Sequence, residues 1–355
     1  MPAWAWILPA LASAVLGAAM TLPVGPVLAV ASGAMLVAAV IAAVHHAEVV
    51  AHRVGEPFGT LVLAVAVTVI EVSLILSMML AGGPGTAVLP RDTIFSAIMI
   101  ICNGVVGICL LVGGLHHREQ SFRVEGAGPA LAALVALATL SLVLPSFTTT
   151  APGGTYSASQ LAFAAIASVA LWAVFVFVQT VRHRDYFLPV ADPANEEAHA
   201  QPPSSPQAWA SFGLLIVSLV AVVGLAKMLS PTIERAIAAA GAPRTVIGIA
   251  IAMLVLLPET WAAVRAARAD RLQTSMNLAL GSALASIGLT IPVVAVASVA
   301  FDIPLTLGLG PKDLVLLFLT FLVGAITLGT GRTNLMQGAV HLVIFAVFVF
   351  LAFVP

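Results

Sequence analysis

The chain has 355 residues, 61% of them hydrophobic and 8% charged, with a formal net charge of −1 and a mean hydropathy of +1.12. A soluble domain carries about 25% charged residues, so the composition excludes an ordinary soluble globule, and the near-neutral balance gives no basis for a nucleic-acid partner. Apolar stretches of about 20 residues recur along the whole chain, the signature of a polytopic membrane protein. They are continuous rather than alternating, which favours spanning helices over a barrel.

Eleven spans are predicted in chain order. The first, 5–22, has no Lys or Arg ahead of its apolar core, so it reads as a membrane helix rather than a signal peptide. Next come 27–50, 58–81, 94–115, 128–147 and 158–181. The extended polar segment, Arg182 to Gln207, carries Asp185, Asp192, Glu196 and Glu197 and then a Pro/Ser-rich stretch, as a linker does. Within it, Pro193–His199 reads either as a short acidic helix or as disorder. The remaining spans are 209–229, 245–264, 273–299, 313–330 and 333–354.

The expected fold is therefore all-α. It has an extra N-terminal helix (1–25), a first five-helix repeat (26–181), a cytoplasmic acidic linker (182–208) and a second repeat (209–355). An odd number of helices per repeat inverts the second copy in the membrane, the plan of many secondary transporters. Nine Lys and Arg residues fall on the side of the N-terminus: Arg53, Arg118, Arg123, Arg182, Arg184, Arg265, Arg268, Arg271 and Arg332. Arg91, Lys227, Arg235, Arg244 and Lys312 fall on the other. The bias predicts a cytoplasmic N-terminus and an external C-terminus.

Two acids lie deep in apolar runs. Glu71 is the sole charge between Phe58 and Leu89, and Glu259 the sole charge between Thr245 and Val264. An acid at the centre of a membrane helix costs about 2.5 kcal/mol or more, so it ordinarily faces a polar pathway. A Gly-x-Pro turn precedes each: Gly55-Glu56-Pro57 and Gly241-Ala242-Pro243. A carboxylate in a low-dielectric site either takes a proton or holds a cation. Where only one fits, the exclusion is the physical core of cation/proton exchange. Pro258 has no N–H, so it breaks its helix and frees a carbonyl near Leu254 for a cation. The other half has Thr68, one turn before Glu71. Each half then has a small polar-spotted helix, with Asn103 in one and Ser282 and Ser286 in the other. Glu48 and Glu234, near helix ends, are candidates for the ion path, and His52, one turn after Glu48, is a candidate to gate it.

Other features carry blander readings. Small polar residues are common where membrane helices pack closely, and Glu71 and Glu259 also admit a structural acid pair. His45, His46, Glu48 and His52 lack the zinc-protease spacing, and no nucleophile–base pair supports an intramembrane enzyme. Cys102 and Cys109, seven residues apart, would sit about 10 Å apart on a helix, too far for a disulfide. Buried acids also suit a cation channel, which would need a continuous pore.

The stretch Ala47-Glu48-Val49-Val50-Ala51-His52-Arg53-Val54-Gly55-Glu56-Pro57, with Gly59 and Glu71, resembles the first signature of cation/proton exchangers in the calcium/cation antiporter superfamily. Val246 through Pro258-Glu259 to Asn277, Gly281-Ser282 and Pro292 resembles the second. Gly331-Arg332-Thr333-Asn334 with Gly338 is similar to the family's last helix. The nearest branch is the bacterial ChaA type, calcium/proton or sodium-potassium/proton antiporters of the inner membrane. The resemblance implies a sodium/calcium exchanger-like fold, with central acids at Glu71 and Glu259 and outer acids at Glu48 and Glu234. It implies no cofactor: the partners are H⁺, Ca²⁺ (or Na⁺ and K⁺) and membrane lipid. The family's Gly-Asn before each central acid is replaced by Val67-Thr68 and Val255-Leu256, its histidine after the second acid by Thr260, and its acid in the last helix by Gln337. Fewer oxygen ligands make a monovalent cation the alternative cargo.

Overall fold

The structure is a computed structural model and describes all residues except 24, 56–57, 83–84, 189–202, 240, 242, 244 and 355. For 58, 60, 63, 81, 230, 234, 237–239 and 258 the backbone alone enters the description. Most of the predicted linker, its Pro193–His199 segment, Glu56 and the side chain of Glu234 lie outside the described residues.

Among the described residues twelve α-helices form: α1 Ala3–Thr21, α2 Pro26–Val54, α3 Phe58–Ala81, α4 Leu89–Met99, α5 Val106–His117, α6 Val124–Ala138, α7 Ala158–Phe177, α8 Ser205–Ala239, α9 Thr245–Arg268, α10 Leu272–Phe301, α11 Pro311–Leu328 and α12 Leu335–Phe353. A π-helical turn, Ile100–Val105, joins α4 to α5 into one span, Thr86–His117. Nine spans among the described residues are long and apolar enough to cross a membrane; the bent α9 makes a tenth, and α3 contributes the shorter apolar stretch Ala64–Leu80. The chain is an integral membrane protein, with an extra first helix and two five-helix repeats. A helix occupies each of the eleven predicted segments, and nine or ten of them are spanning lengths among the described residues. The largest difference is α8, which continues past the predicted end at 229 through Pro231 to Ala239.

Two short strands were not anticipated. Strand β1, Glu119–Ser121, pairs antiparallel with β2, Arg332–Asn334, with Gln120 opposite Thr333. The apolar pattern places Glu119–Ser121 between spans and Thr333–Asn334 at the start of the last helix. The pairing satisfies backbone groups that neither helix end can use. Gln337 then closes a capping box on α12: its Oε1 accepts from the Asn334 N–H at 2.8 Å, while Asn334 Oδ1 accepts from the Met336 N–H at 2.9 Å.

The chain divides into two compact units. The first comprises Met1–Thr86 and Ala198–Arg244, the second Ala87–Glu197 and Thr245–Pro355. In the first, α2 packs against α1, α3 and α8. Pro9 lies inside α1 and gives no amide hydrogen to the Ala5 carbonyl four residues back. The buried His46 ring of α2 supplies one, donating from Nε2 to Ala5 O at 2.8 Å. The turn glycines Gly55 and Gly241 have φ of +80° and +63°, left-handed values that favour glycine.

In the second unit, α5 lies against α12 at a distance that only small residues permit. A Cβ on Gly338 would stand 2.5 Å from the Leu111 nitrogen. The polar loops gather at two ends of this unit. At one, Gln120 donates to Ala267 O and Asp270 Oδ1, His117 to Arg268 O, and the Arg123 N–H to Gln273 Oε1. At the other, Arg91 reaches Asp92 and Gly308 O, and Lys312 reaches Leu351 O.

Candidate ion site

Glu71 belongs to the first unit. It lies mid-way along α3 and is 3% exposed. Thr68, one turn earlier, is also buried, and its hydroxyl donates to Ala64 O within the helix at 2.8 Å. A threonine bonded in this way still presents oxygen lone pairs to its surroundings. Glu48 is half-buried on α2, and His52 is exposed near that helix's end.

Glu259 belongs to the second unit. Helix α9 bends by 53° between Thr245–Leu257 and Glu259–Arg268, so the break falls at Pro258. Glu259 is the first residue beyond it, 7% exposed. Ser282 of α10 donates its hydroxyl to Glu259 Oε2 at 2.6 Å, a length expected for a bond to a carboxylate. Ile101, Val105, Leu256, Glu259, Thr260, Ala279 and Ser282 line a small pocket here. The Thr260 hydroxyl donates to Leu256 O at 2.7 Å, which occupies one carbonyl of the distorted turn.

Ser286, one turn beyond Ser282, is buried on the same face of α10. The next residue on that face, Thr290, is fully buried and its hydroxyl has no partner among the described residues. Sequence reading passed over Thr290, although the four-residue spacing Ser282, Ser286, Thr290 is a readable helical stripe. Asn103 is fully buried at the middle of the π-turn, but its amide faces α11 and α12: Nδ2 donates to Thr320 Oγ1 at 2.9 Å, and Oδ1 meets His341 Nδ1 at 3.2 Å. His341 was also missed, although an ionisable side chain in the last apolar run is itself a signal. Asp92, outside the predicted span, is buried in α4 and paired with Arg91 at 2.8 Å. The described residues hold no cluster of three or more His, Cys, Asp or Glu side chains that could bind a metal. A cation here would have to be carried on isolated carboxylates with hydroxyl and carbonyl oxygens.

Inverted five-helix repeats, a broken helix and a buried acid in each half define a secondary-transporter fold. The family model for the sodium/calcium exchanger protein matches residues 24–181 and 210–354, and the chain belongs to that family. It is 52% identical over its full length, and 97% of the relative's, to the putative ionic transporter y4hA of Sinorhizobium fredii. It is 35% identical to the sodium-potassium/proton antiporter ChaA of Escherichia coli, covering 98% of this chain and 95% of that one. The crystal structure of the Ca²⁺/H⁺ antiporter protein YfkE superposes with a TM-score of 0.70 at 19% identity, covering 99% of both chains. The fold is that of the exchangers.

Proposed function

We propose that this chain is a cation/proton antiporter that exports Ca²⁺ in exchange for H⁺ by alternating access. The observation that carries the reading is a buried glutamate at the matching position of each repeat, Glu71 in α3 and Glu259 in α9. Each is too costly in a bilayer to be kept without use. In this reading Glu71 and Glu259 hold the cation in one state and protons in the other. Thr68, Ser282 and Ser286 add oxygens, and Glu48 and Glu234 line the approach, with His52 beside it. Asn103 is assigned to the same ion-binding and proton-coupling set. Two carboxylates match the charge of one divalent ion, and Ca²⁺ accepts a mixed oxygen shell of six to eight ligands. The chemistry needs no cofactor and no enzymatic step.

A second reading, Na⁺ or K⁺ against H⁺, is favoured by the likeness to ChaA, whose name states that exchange, and by Val67-Thr68, Val255-Leu256 and Gln337 standing where the family carries oxygen ligands. The domain reading keeps the first helix (1–25) outside the repeats 26–181 and 209–355, with 182–208 as their linker. The loops bearing Arg118, Arg123, Arg265, Arg268, Arg271 and Arg332 gather at one end of the second unit, as their interlocking bonds require. In a bacterial inner membrane that grouping fits an external C-terminus, and the Lys and Arg count along the chain supports a cytoplasmic N-terminus.

Everted vesicles carrying an imposed proton gradient and a quenched pH dye test the proposal. Addition of Ca²⁺ is expected to dissipate the gradient with saturation, whereas a channel would conduct without coupling to protons. A response to Na⁺ or K⁺ alone would select the second reading, and no response to any of the three would sink both. Full exchange by both Glu71→Gln and Glu259→Gln would remove the site assignment.

A further inference from the structure

A chain of buried polar side chains runs through the second unit on the side of the π-turn away from Glu259. Thr320 donates to Leu316 O at 2.7 Å, so its oxygen accepts the Asn103 Nδ2–H at 2.9 Å. That assignment leaves Asn103 Oδ1 facing His341 Nδ1 at 3.2 Å, and a carboxamide oxygen only accepts, so Nδ1 carries the hydrogen. The other ring nitrogen, Nε2, lies 3.1 Å from Thr327 Oγ1. Asn103, His341, Thr320 and Thr327 are each at most 2% exposed.

The tie grips an unusual piece of backbone. Asn103 sits within Ile100–Val105, the π-turn where the α4–α5 span takes an extra residue. Such turns are rare and recur at functional sites. Helical spacing divides the turn's side chains between two faces, since residues four apart share a face and a residue two from each lies opposite. Ile101 and Val105 line the Glu259 pocket, while Asn103, between them in sequence, points to α11 and α12. Glycines bring α12 close enough for the contact: a Cβ on Gly107 would meet the His341 Cβ at 3.1 Å, and one on Gly104 the Phe345 ring at 3.4 Å. Groups buried this deeply bear a large penalty when unpaired. The turn is therefore held in one register.

We infer that His341 is a positioning residue for exchange: through Asn103 it holds the π-turn in the register that sets Ile101 and Val105 against the Glu259 pocket. The inference rests on the reading of Glu259 as a cation ligand. Its role is a hydrogen-bond donor's, exercised from α12 without touching the cation.

The test uses the purified full chain in proteoliposomes, with Ca²⁺ and, in parallel, Na⁺ and K⁺ as probes of pH-gradient dissipation. His341→Ala removes the donor to Asn103, and Thr320→Val removes the acceptor of its amide. Both are expected to raise the cation KM about tenfold, with the maximal rate within about twofold of the parent. His341→Gln keeps an N–H able to reach Asn103 Oδ1. It is expected to stay within about twofold of the parent KM at every pH. Parental KM in folded, monodisperse His341→Ala and Thr320→Val would overturn the inference. So would a His341→Gln variant as impaired as His341→Ala, or one with a displaced pH profile, since exchange would then use the imidazole's acid–base chemistry. If His341→Ala fails to fold, Thr320→Val and His341→Gln decide alone. Full exchange by Glu259→Gln would sink the site reading instead, a result separate from the comparison of KM values.

Discussion

The Ser282 hydroxyl of α10 donates to the Glu259 carboxylate of α9 at 2.6 Å, immediately past the bend in α9. The bond fixes the direction of a buried side chain in the pocket that Ile101, Val105 and Leu256 also line. A hydrogen bond to a charged group is worth about 1.5–3 kcal/mol, and each 1.4 kcal/mol is about tenfold in affinity. Ser282→Ala is therefore expected to raise the cation KM roughly tenfold to a hundredfold, while Ser282→Thr, which keeps the hydroxyl, stays near the parent. Cation titrations of gradient dissipation in proteoliposomes would measure this. An unchanged KM in Ser282→Ala would show that the bond is merely structural.

Thr68 stands in a different relation to its acid. Its proton is spent on Ala64 O in its own helix, and what it offers a cation is an oxygen lone pair. Thr68→Val keeps the shape and leaves the backbone bonding of α3 intact. It is expected to preserve the detergent melting temperature while raising the KM about threefold to tenfold, less than Ser282→Ala. Equal losses in the two variants would contradict this difference between the two hydroxyls.

The sequence carries the helices because each apolar run is a spanning length, and it carries the two acids because charge is rare in such runs. It also carries the break at Pro258, which follows from a missing N–H alone. The orientation of Asn103 was not legible. Residue spacing assumes 3.6 residues per turn, and a π-turn changes which face a side chain occupies without any marker such as proline. His341 was hidden for a related reason: its partners lie on α11 and in the π-turn, and pairing across helices leaves no local pattern. Gln337 marks another limit. It stands where the family has an acid, but only the geometry assigns it to the cap of α12.

The His46–Ala5 bond predicts a coupling that a double-mutant cycle measures. With Pro9 in place the Ala5 carbonyl lacks its helical donor, and His46 Nε2 fills the gap at 2.8 Å. His46→Ala should then cost about 1–3 kcal/mol through an unsatisfied buried carbonyl. Pro9→Ala restores the N–H within α1, so His46→Ala in that background should cost clearly less. Chemical or thermal unfolding in detergent gives the four stabilities. Strict additivity would mean that His46 stabilises the first helix by packing alone.

Pro258 allows the sharpest separation of stability from function. A proline inside a helix costs about 3 kcal/mol or more, because it removes one hydrogen bond and its ring crowds the carbonyl four residues back. The chain accepts that cost next to Glu259, where α9 bends by 53°. Pro258→Ala gives residue 258 an N–H that can bond Leu254 O and draw the helix straight. That would withdraw an oxygen from the candidate site and turn Glu259 away from Ser282. The expected result is a protein at least as stable as the parent in detergent, with exchange reduced tenfold or more. This is the pattern of a strained functional element. Pro258→Ala with parental exchange would show that the bend contributes nothing to transport, and a less stable variant would show that neighbouring helices, not the proline, impose it.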